Sequence, residues 1–195
     1  MQPVEKGSSR SAAGALLLTP GAGATRDQHT LLAVEQAVAP LPCARVDFPY
    51  RLRGSRVPDK PPVAIAHLRA EAAAVVAAAA IDPAGLVLGG RSYGGRMCSM
   101  AVAQGLPAAG LVLLSYPLHP PGKPENLRVE HFPQITVPVL LISGRADPFG
   151  SPDEFGTHLG VIPAPVTQVW LPGGHDPRGA DPVIGRTVRD WIAQL

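Results

Sequence analysis

The sequence has little cysteine, and this excludes several kinds of site. It contains only Cys43 and Cys98, and no C-x-x-C pair. Neither a disulfide framework nor a cysteine-based metal or redox site is therefore expected. Two such thiols are typical of a reducing compartment, so we expect both to be reduced and partly buried in a cytoplasmic protein. The sequence implies no metal and no organic cofactor.

Concentrated charge and long apolar runs are also missing. The formal net charge is +2, and no basic run is present that would favour nucleic acid as a partner. No apolar run approaches ~20 residues, so no membrane-spanning helix is expected. Residues 1–14 are polar and are predicted to form a flexible N-terminal segment, while the apolar stretch 15–18 is too short for a signal-peptide core.

The remaining chain suits one globular domain, predicted over residues 15–195. Hydrophobic residues make up 46% of the chain and charged residues 16%, which is typical of a folded core. Short, continuously apolar runs alternate with amphipathic stretches, a pattern that predicts a doubly wound α/β fold with a mostly parallel sheet covered on both faces. The predicted strands are 15–19, 45–48, 86–89, 110–115, 139–143 and 166–170, and the predicted helices are 27–38, 63–80, 93–104, 152–159 and 182–193. A proline-rich loop, 116–137, separates two of these strands, and 125–131 is predicted to form a short helix inside it.

The strongest motif is a G-x-S-x-G pattern formed by Gly90, Ser92 and Gly94. It follows an apolar strand and precedes a helix, the context in which such a serine is a nucleophile on a tight, strained turn. Glycine on both sides keeps side chains out of the crowded turn. A phosphate-binding glycine turn is the alternative, but the G-x-x-x-x-G-K-[ST] pattern is missing.

A nucleophilic serine needs a base, and the base needs an orienting carboxylate. Where serine occupies such a turn, the acid and then the histidine follow it along the chain. His175 lies between the last predicted strand and the last helix, and we prefer it to His119, His131 and His158, which we interpret as solvated or structural. Asp147 follows the preceding strand after a glycine. Its competitors are Asp153 and Asp181, interpreted as helix caps, and Asp176, which adjoins the histidine too closely.

Two backbone N–H groups are predicted to form an oxyanion hole. One is that of Tyr93, the residue after the nucleophile, and the other belongs to the small-residue loop 19–24 after the first strand. Within that loop we nominate Ala22, and its neighbour Gly23 is an open alternative.

Three further residues are candidates for contact with substrate. Arg91 or Arg96 is placed to bind an anionic group, although pairing with a structural carboxylate is the more frequent role of such arginines. Tyr50 follows a strand on the predicted active-site edge and is a candidate for lining the pocket. Cys98 is interpreted as a buried small side chain.

Four segments, 20–23, 89–96, 116–124 and 144–150, resemble the small α/β-hydrolase-like domain related to dienelactone hydrolases. This domain also occurs in a testis-expressed protein and in a subunit of the NSL chromatin complex. The resemblance implies a minimal α/β-hydrolase fold with six strands and no cap domain, and an open or loop-covered pocket. One position departs from the family, since Pro20 stands where relatives carry histidine, which implies a different support for the oxyanion loop.

These observations predict a serine hydrolase that acts on a small ester, thioester or lactone, with a small acyl compound as its partner. One alternative is a non-catalytic interaction module, because the relatives include a subunit of a complex and fold alone does not fix function. Another is an acyltransferase or perhydrolase that uses the same three residues. The sequence predicts no oligomeric state.

Overall fold

The architecture is built on a six-stranded, entirely parallel sheet with the strand order β2-β1-β3-β4-β5-β6. The structure is a computed structural model that describes residues 13–177 and 179–195. Residues 1–12 of the predicted flexible segment lie outside the described residues. The strands are β1 (Ala15–Thr19), β2 (Cys43–Arg45), β3 (Leu86–Arg91), β4 (Gly110–Leu114), β5 (Val139–Gly144) and β6 (Val166–Leu171).

Helices cover both faces of this sheet. They are α1 (His29–Val38), α2 (Pro49–Leu52), α3 (Pro61–Ala79), α4 (Tyr93–Ala103), α5 (Pro152–His158) and α6 (Asp181–Ile192). One apolar core lies between the sheet and α1 and α6, and the other lies between the sheet and α3 and α4. The predicted doubly wound α/β class and its six strands are confirmed.

The continuous apolar runs have a direct structural reason. In β1, Leu16 and Leu18 pack on the α1–α6 side, whereas Ala15 and Leu17 pack on the α3–α4 side, and all four are fully buried. Side chains alternate between the two faces of a strand, so a strand with helices on both sides needs apolar residues at every position. Strands β3, β4 and β5 are buried throughout for the same reason.

Two predicted elements differ from the structure. The second strand was expected at 45–48, but it ends at Arg45, because Phe48 precedes Pro49 at the start of α2. The short helix expected at 125–131 is wrong: this segment runs as turns, and a 3₁₀ helix follows it at Phe132–Gln134.

Both predicted aspartate caps are also wrong. Ser151, not Asp153, caps α5, and it does so in a reciprocal capping box with Glu154. Asp181 is the first residue of α6, and its carboxylate binds His29 at 2.6 Å and Thr30 at 3.1 Å on α1. That carboxylate therefore links α6 to α1 instead of capping the N-terminus of α6.

Helix α3 is the one helix of the described ranges that is long and apolar enough to cross a membrane by length and composition. This is weak evidence for a membrane span. The expectation that the chain has no membrane-spanning helix stays a prediction.

Candidate active site

Ser92 stands at the turn from β3 into α4 with a left-handed backbone, φ +49°. Non-glycine residues seldom adopt this conformation, and it is characteristic of strained functional positions. The two flanking glycines explain how the turn closes. A Cβ on Gly90 would lie 2.6 Å from the backbone of Gly94 and Gly95, and one on Gly94 would lie 2.6 Å from the carbonyl oxygen of Pro20.

The structure brings Ser92, His175 and Asp147 into one hydrogen-bonded chain. Nε2 of His175 lies 2.9 Å from Oγ of Ser92, and its Nδ1 lies 2.8 Å and 3.0 Å from the two carboxylate oxygens of Asp147. A carboxylate can only accept, so Nδ1 carries the proton and Nε2 accepts from the serine hydroxyl. The three residues follow β3, β5 and β6, whose carboxyl ends meet at one edge of the parallel sheet.

The carboxylate of Asp147 has further partners that fix its direction. It accepts hydrogen bonds from Oγ of Ser143 at 3.2 Å and from the N–H of Phe149 at 2.9 Å, and its side chain is fully buried. The ring of Phe149 lies 4.2 Å, centroid to centroid, from the imidazole of His175. Sequence reasoning missed Ser143 and Phe149, although both lie within four residues of Asp147, and an aromatic residue beside the acid was the available signal.

The loop after β1 lies against Ser92. A Cβ on Gly21 would come within 3.7 Å of Cβ of Ser92. The N–H of Gly21 donates to Oε1 of Gln28 at 3.1 Å, so it is not free to bind a substrate. Among the described residues, the N–H groups of Ala22, Gly23 and Tyr93 donate to no protein acceptor, so Tyr93 with either Ala22 or Gly23 stays the predicted oxyanion hole.

Tyr50 does not line a pocket, and this prediction is wrong. Its side chain is fully buried, and its hydroxyl donates to the carbonyl oxygen of Ala22 at 2.6 Å. Gln28 and Tyr50 therefore support the loop that contains Pro20. A support different from that of the relatives was expected, because Pro20 stands where they carry histidine.

Arg91 is also not placed to bind substrate. It is only 8% exposed, and its guanidinium donates to the carbonyl oxygen of His175 at 2.7 Å and to Asp176 at 2.9 Å. Burial lowers the pKa of Arg91, while the neighbouring aspartates oppose this shift. Asp176, which was rejected as the candidate acid, thus helps Arg91 to hold the loop that carries His175. Arg96 is half-buried and takes part in no ion pair of the described residues, so its role in anion binding stays a prediction.

The other histidines lie away from this hydrogen-bonded chain. His119 is 5% exposed and lies 3.1 Å from Glu154, and His131 lies 2.7 Å from Oγ of Ser99. His158 is in the last turn of α5. Cys98 is fully buried, and burial raises the pKa of its thiol to about 12, which keeps it protonated and inert.

Comparison with solved structures shows many that share this fold. Est1E from Butyrivibrio proteoclasticus superposes with a TM-score of 0.74 at 14% identity, over 94% of this chain and 88% of that one. A dienelactone hydrolase from Anabaena variabilis gives 0.74 at 18%, over 94% and 87% of the two chains. The esterase domain of a Rhodothermus marinus protein gives 0.69 at 13%, over 100% and 90%. Identities this low establish the fold alone.

The likeness to a dienelactone hydrolase agrees with the resemblance seen in the sequence, whereas the relation to the testis-expressed protein and the NSL subunit stays a prediction. A sequence model of an alpha/beta hydrolase domain matches residues 12–192, nearly the whole chain. On the strength of that match, the chain belongs to the alpha/beta hydrolase domain family.

Proposed function

We propose that this protein is a serine hydrolase that cleaves a small ester, thioester or lactone through an acyl-enzyme intermediate. The observation that carries the proposal is the continuous hydrogen-bonded path from Ser92 through His175 to the buried carboxylate of Asp147. The proposal includes a small acyl substrate and a cytoplasmic location, with no nucleic-acid or membrane partner.

Each residue has a defined step in this reaction. Ser92 Oγ attacks the carbonyl carbon while Nε2 of His175 takes the hydroxyl proton, and the imidazolium then gives this proton to the leaving oxygen or sulfur. Asp147 holds the imidazole in the tautomer that accepts the proton and stabilises the imidazolium. Water then attacks the acyl-enzyme while Nε2 of His175 takes a proton from it. The imidazolium returns this proton to Oγ of Ser92, which releases the acid and restores the serine.

The negative charge on the substrate oxygen needs donors that are already in place. The N–H groups of Tyr93 and Ala22 serve here, and the first of them stands at the N-terminus of α4, where the helix dipole favours negative charge. Preorganised donors of this kind are worth about 10²–10³ in rate each. Relatives of this fold whose names include esterase and dienelactone hydrolase make ester-type substrates the first class to test.

The test is labelling of the pure protein with a fluorophosphonate, followed by location of the modified residue by mass spectrometry. We expect labelling at Ser92, and we expect Ser92→Ala and His175→Ala to lose both labelling and at least about 10³-fold in ester hydrolysis. His158→Ala, on α5, is the matched control and should behave as wild type.

Two other outcomes would redirect the assignment. Folded wild-type protein that neither reacts with the probe nor hydrolyses any ester would contradict the hydrolase and favour the interaction module. Labelling at Ser92 with acyl transfer to added alcohol or peroxide outrunning transfer to water would favour the acyltransferase or perhydrolase.

A further inference from the structure

Three successive peptide groups of the loop after β1 are each held by a hydrogen bond. The N–H of Gly21 donates to the side chain of Gln28 at 3.1 Å, and the carbonyl of Gly21 accepts from the N–H of Ala24 at 3.1 Å. The carbonyl of Ala22 accepts from the hydroxyl of Tyr50 at 2.6 Å. The loop is therefore fixed peptide by peptide, although it contains only small side chains.

This pattern determines where the N–H of Ala22 points. In a planar trans peptide the N–H is directed opposite to the carbonyl of the same group, so the bond between Ala24 and Gly21 sets the direction of the Ala22 N–H. The hydrogen bond from the Tyr50 hydroxyl holds the next peptide group, which contains the carbonyl of Ala22. The two peptide groups that flank Ala22 therefore cannot rotate together. Two N–H groups of this stretch, those of Ala22 and Gly23, lie in held peptide groups and have no described acceptor, and Tyr50 holds the peptide group of the second directly.

Tyr50 is itself fixed by groups outside the loop. Its backbone N–H donates to Oδ2 of Asp59 at 2.9 Å, and its ring packs edge-on against Tyr93 with centroids 6.2 Å apart. The hydroxyl of Tyr93 donates to the backbone carbonyl of Asp59 at 2.7 Å. Asp59 thus joins Tyr50, which holds one candidate oxyanion donor, to Tyr93, which supplies the other.

The phenol of Tyr50 is suited to a permanent donor role. Burial raises its pKa, so it stays protonated. A tyrosine with no exposed surface cannot contact substrate directly, and its hydroxyl has a backbone carbonyl as its partner. Its effect on the reaction must therefore pass through the loop.

We propose that Tyr50, anchored by Asp59, is a positioning residue that holds the peptide groups on either side of Ala22, so that the N–H of Ala22 or that of Gly23 can stabilise the oxyanion beside Ser92. This inference rests on the proposed hydrolase function. It assigns to Tyr50 a role in binding the transition state and none in binding the ground-state substrate.

The test is Tyr50→Phe, with Tyr116→Phe as its matched control. Tyr116 is equally buried, and its hydroxyl also donates to a backbone carbonyl at 2.6 Å, that of Arg128, away from the oxyanion loop. Both variants lose one phenol–carbonyl bond and should lose similar thermal stability. Tyr50→Phe should lower kcat about tenfold with KM within about twofold of wild type, whereas Tyr116→Phe should leave both unchanged.

Two readouts separate positioning from a merely structural role. Affinity for a boronic acid, which forms a tetrahedral adduct with the serine, should fall in Tyr50→Phe by the same factor as kcat. Amide hydrogen exchange at residues 21–24 should become faster in Tyr50→Phe and not in Tyr116→Phe. Equal kinetic effects of the two variants, or unchanged exchange in the loop, would overturn the proposal.

Failure of the proposed function would look different. If wild-type protein hydrolysed no ester and bound no boronic acid, the hydrolase assignment would fail and with it the catalytic part of this inference. The exchange experiment would still decide whether Tyr50 holds the loop.

Discussion

At Arg91 a single guanidinium joins the strand before Ser92 to the loop that carries His175. It donates to the carbonyl of His175 and to Asp176; Arg91 is only 8% exposed, whereas the side chain of Asp176 is about half exposed. Hydrogen bonds to charged groups contribute about 1.5–3 kcal/mol each, and solvent screening lowers this contribution for the exposed Asp176. The position of His175 therefore depends on Arg91.

We expect Arg91→Met to lower kcat by about tenfold or more for neutral and anionic esters alike, because His175 loses its support. The melting temperature should fall by several degrees, since 1 kcal/mol shifts it by about 2–4 °C in a chain of this size. Arg189→Met, which removes an exposed arginine paired only with its neighbour Asp190, is the control. A loss restricted to anionic esters would instead return Arg91 to substrate binding.

Local pattern explains which site residues could be predicted. Ser92 and Asp147 follow fully buried strands, and His175 follows the half-buried edge strand β6. Parallel strands bring their carboxyl ends together, so the sequence was sufficient to predict that these three residues lie close to one another. The hydroxyl of Tyr50 donates to a backbone carbonyl 28 positions away, and Oε1 of Gln28 accepts from a backbone N–H 7 positions away. Contacts between a side chain and a distant backbone leave no periodic signal, and Tyr50 was consequently misread as a pocket residue.

Helix α4 shows a conflict between helix propensity and packing. Alanine is favoured over glycine inside a helix by about 1 kcal/mol. At Gly94, however, an added Cβ would lie 2.5 Å from Oγ1 of Thr19 and 2.6 Å from the carbonyl oxygen of Pro20. The first turn of α4 can approach β1 and the oxyanion loop only because this side chain is missing.

We expect Gly94→Ala to destabilise the protein by about 1–3 kcal/mol and to reduce esterase activity, because α4 must move away from the loop after β1. The matched control is Gly156→Ala in α5, where an added Cβ meets nothing within 4 Å. That change should be neutral or stabilising by up to about 1 kcal/mol. Chemical denaturation of both variants decides, and a stabilised Gly94→Ala would contradict the packing argument.

The elements differed in how well their sequences indicated them. Strands β1, β3, β4 and β5 lie in the interior of the sheet, and their apolar runs predicted their bounds to within two residues. Strand β2 is at the edge and is only half-buried, so its boundary carries little hydrophobic signal. Segment 125–131 resembled a helix in composition, but Arg128 donates its N–H to the carbonyl of Leu118, which commits the chain to a loop.

At the scale of the whole molecule, His131 couples stability to pH. It lies between α4 and the 3₁₀ helix Phe132–Gln134, and its Nε2 is 2.7 Å from Oγ of Ser99. Burial, aided by the positive charge of Arg96 and opposed by Glu130, lowers the pKa of His131 from 6.5 to about 4. In the unfolded chain the imidazole binds a proton near pH 6.5, so acid in this window favours unfolding.

We expect the free energy of unfolding to fall between pH 7 and pH 5, with about 1 kcal/mol of this fall due to His131 after allowance for its partial exposure. His131→Gln keeps a donor for Ser99 and should remove that part of the pH dependence. His158→Gln should keep the wild-type slope. Urea denaturation at the two pH values measures the effect, and identical slopes for wild type and His131→Gln would refute it.

The parallel pairing of all six strands also has a kinetic meaning. Every neighbouring strand pair needs a crossover, and the partners of His175 in the site stand 28 and 83 positions away along the chain. Such distant contacts form late and slowly during folding. Under the proposed function, Ser92 can therefore be activated by His175 only after the last strand has joined the sheet, so a partly folded chain released during synthesis would not carry an activated serine.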